Sequence, residues 1–142
     1  MRSISFASCV VVAGLLAGCS PAIETVQSQT LAKTTQSWDG SKLPAYPAGQ
    51  PEVTILRIQI PPHTELHLHK HPVINMGVLM RGRLTVVTDS GETLHLRAGD
   101  AIVEVVDKWH YGKNEGDSVA EIIVAYAGVQ GEPITVLADE TH

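Results

Sequence analysis

Thiols are almost missing from this chain of 142 residues: its two cysteines, Cys9 and Cys19, both lie in the first nineteen positions. Beyond them nothing is available for a disulfide or a thiol nucleophile. Aromatic residues are scarce, with one Phe, two Trp and three Tyr, and 44% hydrophobic and 18% charged residues over this length allow one ordinary globular domain. Basic clusters are absent too. The formal charge is −5, and an acidic chain without a Lys/Arg patch is a poor partner for nucleic acid. No useful length of sequence after Val53 carries a helical period, and no internal repeat is visible.

The first residues, "MRSISFASCVVVAGLLAGCS", have a single charge at Arg2, an apolar run around residues 10–16 and small residues ending at Cys19. That pattern is an export signal, too short to span a bilayer. "LLAGC" at 15–19 resembles the bacterial lipobox. The resemblance implies cleavage before Cys19 and diacylation of that cysteine, so Cys9 leaves with residues 1–18 and no free thiol remains. Only Arg2 is lost among charged groups, so the formal charge moves from −5 to −6. Acyl chains contribute about 0.8 kcal/mol per buried methylene and hold a protein at a membrane without a spanning helix. Ser20 after the cysteine resembles the outer-membrane sorting pattern of Gram-negative lipoproteins. The expected location is the cell envelope, lipid-anchored and facing the periplasm, with the outer membrane favoured by Ser20 and the inner membrane left open.

Residues 19–50 are rich in Ser, Thr, Gln, Pro and Gly and read as a tether followed by an extended lead-in arm. Trp38 and Tyr46 in this arm have two readings, packing of the arm against the domain or, favoured, surface aromatics covering its edge. Residues 51–138 break into short β-branched runs between turn residues, the pattern of an all-β sandwich or barrel. Expected strands are "VTILRIQI", "INMGVLM", "GRLTVVT", "TLHLR", "AIVEVV", "SVAEIIVAYAG" and "PITVL", with "DSGE" as a hairpin turn. Apolar residues on both faces of "INMGVLMRG" suggest two packed sheets closing into a barrel.

"LHLHKHPVIN", at 66–75, places His67, His69 and His71 at alternating positions. In a regular strand they share one face, and three such rings are costly to bury unless something binds them. A fourth histidine, His110, stands about forty residues on in "WHYGKN". His63 beside two prolines and His95 on an alternating strand read as surface or second-face residues.

Taken together, "HKHPVIN", "AGDAIVEVV" and "WHYGKN" resemble the small single-domain cupins. Their first motif is HxH, three residues, Glu, six residues and Gly, which here aligns His69, His71, Asn75 and Gly82. Their second motif is Gly, five residues, Pro, one residue, Gly, two residues, His, three residues and Asn, aligning Gly99, Val105, Asp107, His110 and Asn114. Three positions depart: Asn75 replaces Glu, Val105 replaces Pro, and Asp107 replaces Gly. The resemblance implies a cupin-type β-barrel, jelly-roll-like, with a metal held by His69, His71 and His110. His67 falls outside the motif and reads as a rim neighbour.

Two imidazoles from one strand and a third from across a barrel occupy one side of a coordination sphere and leave the other open. Asn75 offers only a neutral oxygen, as a weak ligand or as a hydrogen-bonding neighbour of whatever the metal holds. Three neutral imidazoles leave a divalent site at formal +2 rather than +1, which favours small anionic ligands. Glu104, the one acid in the apolar "AIVEVV", supplies the missing carboxylate as ligand or general base if it faces inward; if outward, it is a solvent or subunit contact. Fe, Mn, Ni, Cu and Zn are all compatible with this ligand set.

Two functional readings follow: a metal-dependent enzyme of oxidoreductase, isomerase or lyase type acting on a small anion, or a non-catalytic periplasmic module that binds or senses a metal or small ligand. Met76, Val78 and Met80, on the face opposite Asn75, are expected to form sheet packing or a homodimer surface.

The anchor has a direct check. Cells fed labelled palmitate should label the intact chain and retain it in the membrane fraction, whereas a Cys19→Ala chain should carry no label. An unlabelled, freely soluble intact chain would contradict the lipobox reading.

Overall fold

A computed structural model describes residues 25–138, so the segment expected to be an export signal, with Cys19, lies outside the described residues. Its strands are β1 (Pro51–Ile60), β2 (Thr64–Glu65), β3 (His69–Lys70), β4 (Ile74–Arg81), β5 (Arg83–Thr88), β6 (Thr93–Arg97), β7 (Ala101–Val103), β8 (His110–Asn114), β9 (Ala120–Val129) and β10 (Val136–Leu137). One sheet runs β1-β9-β4-β7 and the other β10-β3-β8-β5-β6, with β2 also on β8. All pairings are antiparallel. The two-sheet all-β barrel expected from the sequence is the fold observed, and no α-helix occurs among the described residues.

Alternation explains which residues fill it. Along β9, Ala120, Ile122, Val124 and Tyr126 are buried while Glu121, Ile123, Ala125 and Ala127 are half-buried on the outer face. Side chains in a strand point to opposite faces in turn, so this one segment is read off its own period. Leu79 from β4, Leu84 and Val86 from β5 and Ile102 from β7 meet those residues in the core. Val53, Ile55, Met76 and Met80 are exposed, leaving the outer face of the first sheet apolar.

Several elements are shorter or placed differently than expected. The histidine row is not a continuous strand: only His69 and Lys70 pair, and Pro72, which has no N–H for a ladder, follows after His71. "AIVEVV" leaves the sheet after Val103. A turn follows, in which Asp107 takes φ 55°, the left-handed conformation that suits glycine and that Asp tolerates better than most residues. "PITVL" pairs only at Val136–Leu137.

Trp38 corrects another expectation. It is not a surface aromatic but packs partly buried against the core, whereas Tyr46 is 80% exposed. The arm is sewn to the barrel around it. Ser37 Oγ donates to Glu104 O at 2.8 Å, Trp38 N donates to Val103 O at 2.9 Å, and Lys108 pairs with Asp39 at 2.5 Å.

Gly82 and Gly91 separate two kinds of turn constraint. Gly82 has φ 79°, and a β-carbon there would stand 2.8 Å from Val119 O and 2.9 Å from Ala120 Cα; Gly91 has φ 89° but open space around it. Gly91→Ala should therefore cost about 1–2 kcal/mol, the left-handed backbone alone. Gly82→Ala should cost clearly more, because backbone atoms must also move. Urea unfolding of both variants checks this, and equal midpoints would contradict it.

Candidate metal centre

His69 in β3 lies directly opposite His110 in β8, and His71 follows just past the end of β3. Each ring is aimed by a backbone carbonyl. Nδ1 of His69 meets His67 O at 2.7 Å, Nδ1 of His71 meets Ile134 O at 2.8 Å, and Nδ1 of His110 meets Lys108 O at 2.9 Å. A carbonyl only accepts, so each Nδ1 carries the proton and each Nε2 keeps its lone pair. One ring nitrogen from each of the three lies within 4.8 Å of the others. The ring centroids are 4.6, 5.0 and 5.1 Å apart.

Electrostatics hold the rings in the state a metal needs. Burial lowers the pKa of all three: His71 is pushed down to about 3, and His69 and His110 are moved in the same direction. Neutral imidazoles with free Nε2 atoms are metal ligands without prior loss of a proton. The donor set thus suits a divalent metal, and oriented Nδ1–H groups are what imidazole–metal sites characteristically show.

Asn75 is fully buried beside this cluster. Its Nδ2 donates weakly to Val73 O at 3.4 Å, and its Oδ1 has no partner. An orphaned buried oxygen costs stability unless a ligand satisfies it, so the residue is poised toward an occupant of the cavity. Of the two orientations open to Glu104, the structure has the inward one. Its Oε2 lies 3.4 Å from Nε2 of His110, and burial pushes its carboxyl up to about 7, against the pull of the Val105 N–H. The Trp38 indole N–H also favours the carboxylate but falls short of hydrogen-bond geometry.

His67 is exposed at the cavity's rim, as its place outside the motif implied. His95 accepts or donates with Thr85 on the outer face, and His63 faces Asp117 across 3.2 Å. Asn114, aligned in the second motif, plays a tying role. Its Nδ2 reaches Ile60 O, Pro61 O and Ser118 O, and its Oδ1 takes the Gly116 N–H. Tyr126 was not singled out by the sequence reasoning. It lies across from Asn75, its ring edge-to-face with that of His71 at 5.3 Å between centroids, and burial pushes its hydroxyl up to about 12. Its parity with Ile122 and Val124 was the available signal.

Comparison with known proteins now becomes informative. The cupin domain family matches residues 56–126, which is 71 of 142 positions. This chain belongs to the cupin family. No curated protein matches this cupin. Among solved structures, it is similar to an oxalate oxidase in complex with the substrate analogue glycolate, at 26% identity and TM-score 0.53, covering 61% of this chain and 46% of that one. It also resembles a DMSP lyase from Ruegeria pomeroyi DSS-3 at 17% identity and TM-score 0.54, covering 63% of this chain and 45% of that one. A protein with a double-stranded β-helix domain from Klebsiella pneumoniae matches at 20% identity and TM-score 0.53, covering 65% of this chain and 88% of the other. This cupin spans less than half the length of the first two, and the second and third likenesses concern the fold alone.

The shifted groups make opposite demands on pH. Glu104, raised to about 7, contributes stability that is fully present below its unfolded value of 4.5 and lost as pH rises to 7. The histidines, lowered from 6.5, contribute stability that is present above that value and lost as pH falls. In metal-free protein, the stability of Glu104→Gln relative to the parent should rise from pH 4.5 to 7 and stay constant above. A shift of that size corresponds to roughly 3 kcal/mol. Denaturant melts at several pH values check it; a pH-independent difference would contradict it.

Proposed function

We propose that this cupin is a lipid-anchored protein of the cell envelope that holds a divalent metal with His69, His71 and His110 and acts on a small anionic molecule. The observation that carries the reading is the engagement of all three Nδ1 atoms by backbone carbonyls, which leaves three Nε2 lone pairs free beside a cavity. Fe, Mn, Ni, Cu and Zn all accept imidazole nitrogen or a mixed site of this kind. Such an ion would supply positive charge that draws and polarises an oxygen ligand. The oxalate oxidase match, described with glycolate bound, supports a small carboxylate as the class of ligand.

The chain's own residues then divide the work. Glu104 takes the place of the acidic group that Asn75 lacks. With its carboxyl at about 7, it gives or takes a proton near neutrality, where a general acid or base is most effective. Asn75 Oδ1 accepts a hydrogen bond from a protonated ligand oxygen without adding negative charge. Tyr126, kept protonated, presents its hydroxyl as a donor near Glu104. The reaction type we assign is isomerase, lyase or oxygen-dependent cleavage of such an anion. A homodimer through the exposed Met76 and Met80 face belongs to the same proposal.

Protein purified from the cell envelope should carry close to one transition-metal ion per chain by elemental analysis. The His69→Ala/His110→Ala double variant should lose at least about tenfold in bound metal while keeping its β-sheet circular dichroism. Equal metal content in both would overturn the three-histidine site. Saturable binding of carboxylates by loaded protein, with no turnover under any condition, would move the reading to the binding module.

A further inference from the structure

The cavity beside the histidines measures about 320 Å³. That lies at the small end of the roughly 300–1,000 Å³ found for ligand sites. Among the described residues its polar groups are confined to the histidines, Asn75, Glu104, Tyr126 and Thr135; the rest of that lining is aliphatic or glycine, with no Lys or Arg. On β1 the inward residues form a gradient, from Leu56, 37% exposed, through half-buried Ile58 to Ile60 at 2%. A hydrocarbon wall therefore runs from the open end inward, continued by Val124 from the neighbouring strand β9 and by Leu84 from β5 in the opposite sheet.

Gly112 in β8 widens this wall. A β-carbon there would stand 3.4 Å from Cδ1 of both Leu66 and Leu84, so the glycine keeps the space between the two leucines clear. The cavity thus has one polar end that suits an anionic oxygen head and a body that suits only hydrocarbon.

Resting on the metal reading above, we infer that the ligand is a monoanion with an apolar body of a few carbon atoms: a head at the histidines, and a tail along Leu56, Ile58 and Leu84. Polar groups buried without partners are strongly disfavoured, and a second charge carried on the tail would meet no cation in this cavity. A ligand as small as oxalate would leave the aliphatic walls without contacts. Each methylene that the tail adds against them should tighten binding about fourfold.

Calorimetry separates this inference from the reading beneath it. Metal-free protein is first titrated with Zn²⁺, which tests the three-histidine site alone. Zn²⁺-loaded protein is then titrated with acetate, butanoate, hexanoate and adipate. Affinity should rise about fourfold per methylene from acetate to hexanoate. Adipate, which matches hexanoate in length but carries a second carboxylate, should bind at least about tenfold more weakly. Gly112→Val, provided it keeps a cooperative unfolding transition, should flatten the dependence on chain length. Normal Zn²⁺ binding with no gain from acetate to hexanoate, or with adipate as tight as hexanoate, would overturn the ligand class. A chain-length gain in protein that takes up no Zn²⁺ would overturn the metal reading and leave the ligand class standing.

Discussion

Three hydrogen bonds from imidazole Nδ1–H groups to backbone carbonyls are the constraint on which the centre depends. Each is between 2.7 and 2.9 Å long, and each fixes both the tautomer and the direction of one ring. Burial alone would leave three neutral rings with undefined orientation. The carbonyls turn them into a set of lone pairs directed at one place, before any ligand arrives.

The three carbonyls come from different parts of the barrel, which ties the site to the whole fold. His67 O is local to the row, but Ile134 O belongs to the segment before β10, and Lys108 O to the loop that precedes β8. That loop is gripped by the lead-in arm. Lys108 pairs with Asp39 and Glu92, Ser37 bonds the Glu104 carbonyl, and Trp38 packs beside the Glu104 carboxyl. Loosening the arm would therefore disturb the Glu104 carboxyl and the His110 ring together. The Lys108–Glu92 pair is half-exposed and contributes little, so the grip rests on the backbone bonds, the Lys108–Asp39 pair with its covered carboxylate, and the partly buried indole.

Much of this was legible in the sequence. The β-strand period of "SVAEIIVAYAG" fixed which side chains are buried, and the spacing of two motifs brought together residues forty positions apart. The HxH pair does come together with His110, but not in the setting expected, since a two-residue strand with Pro72 soon after it does not obey simple alternation. Glu104 was undecidable by parity because the chain leaves the sheet just before it, where alternation ceases to apply. The role of Trp38 was hidden for a different reason. The arm that carries it has no period, and its docking is set by contacts with residues more than sixty positions away. Asp107 shows the converse: a departure from the motif that keeps the motif's backbone, with φ 55° where glycine is usual.

The central claim is that the three Nε2 atoms share one ion. Anomalous-difference diffraction from crystals of the metal-loaded protein, collected at the absorption edge of the bound metal, tests this most directly. A single peak is expected at about 2.0–2.2 Å from Nε2 of each of His69, His71 and His110, with the Nδ1–carbonyl bonds intact. A peak elsewhere on the molecule, or one bound through Nδ1 after the carbonyl bonds have broken, would contradict it.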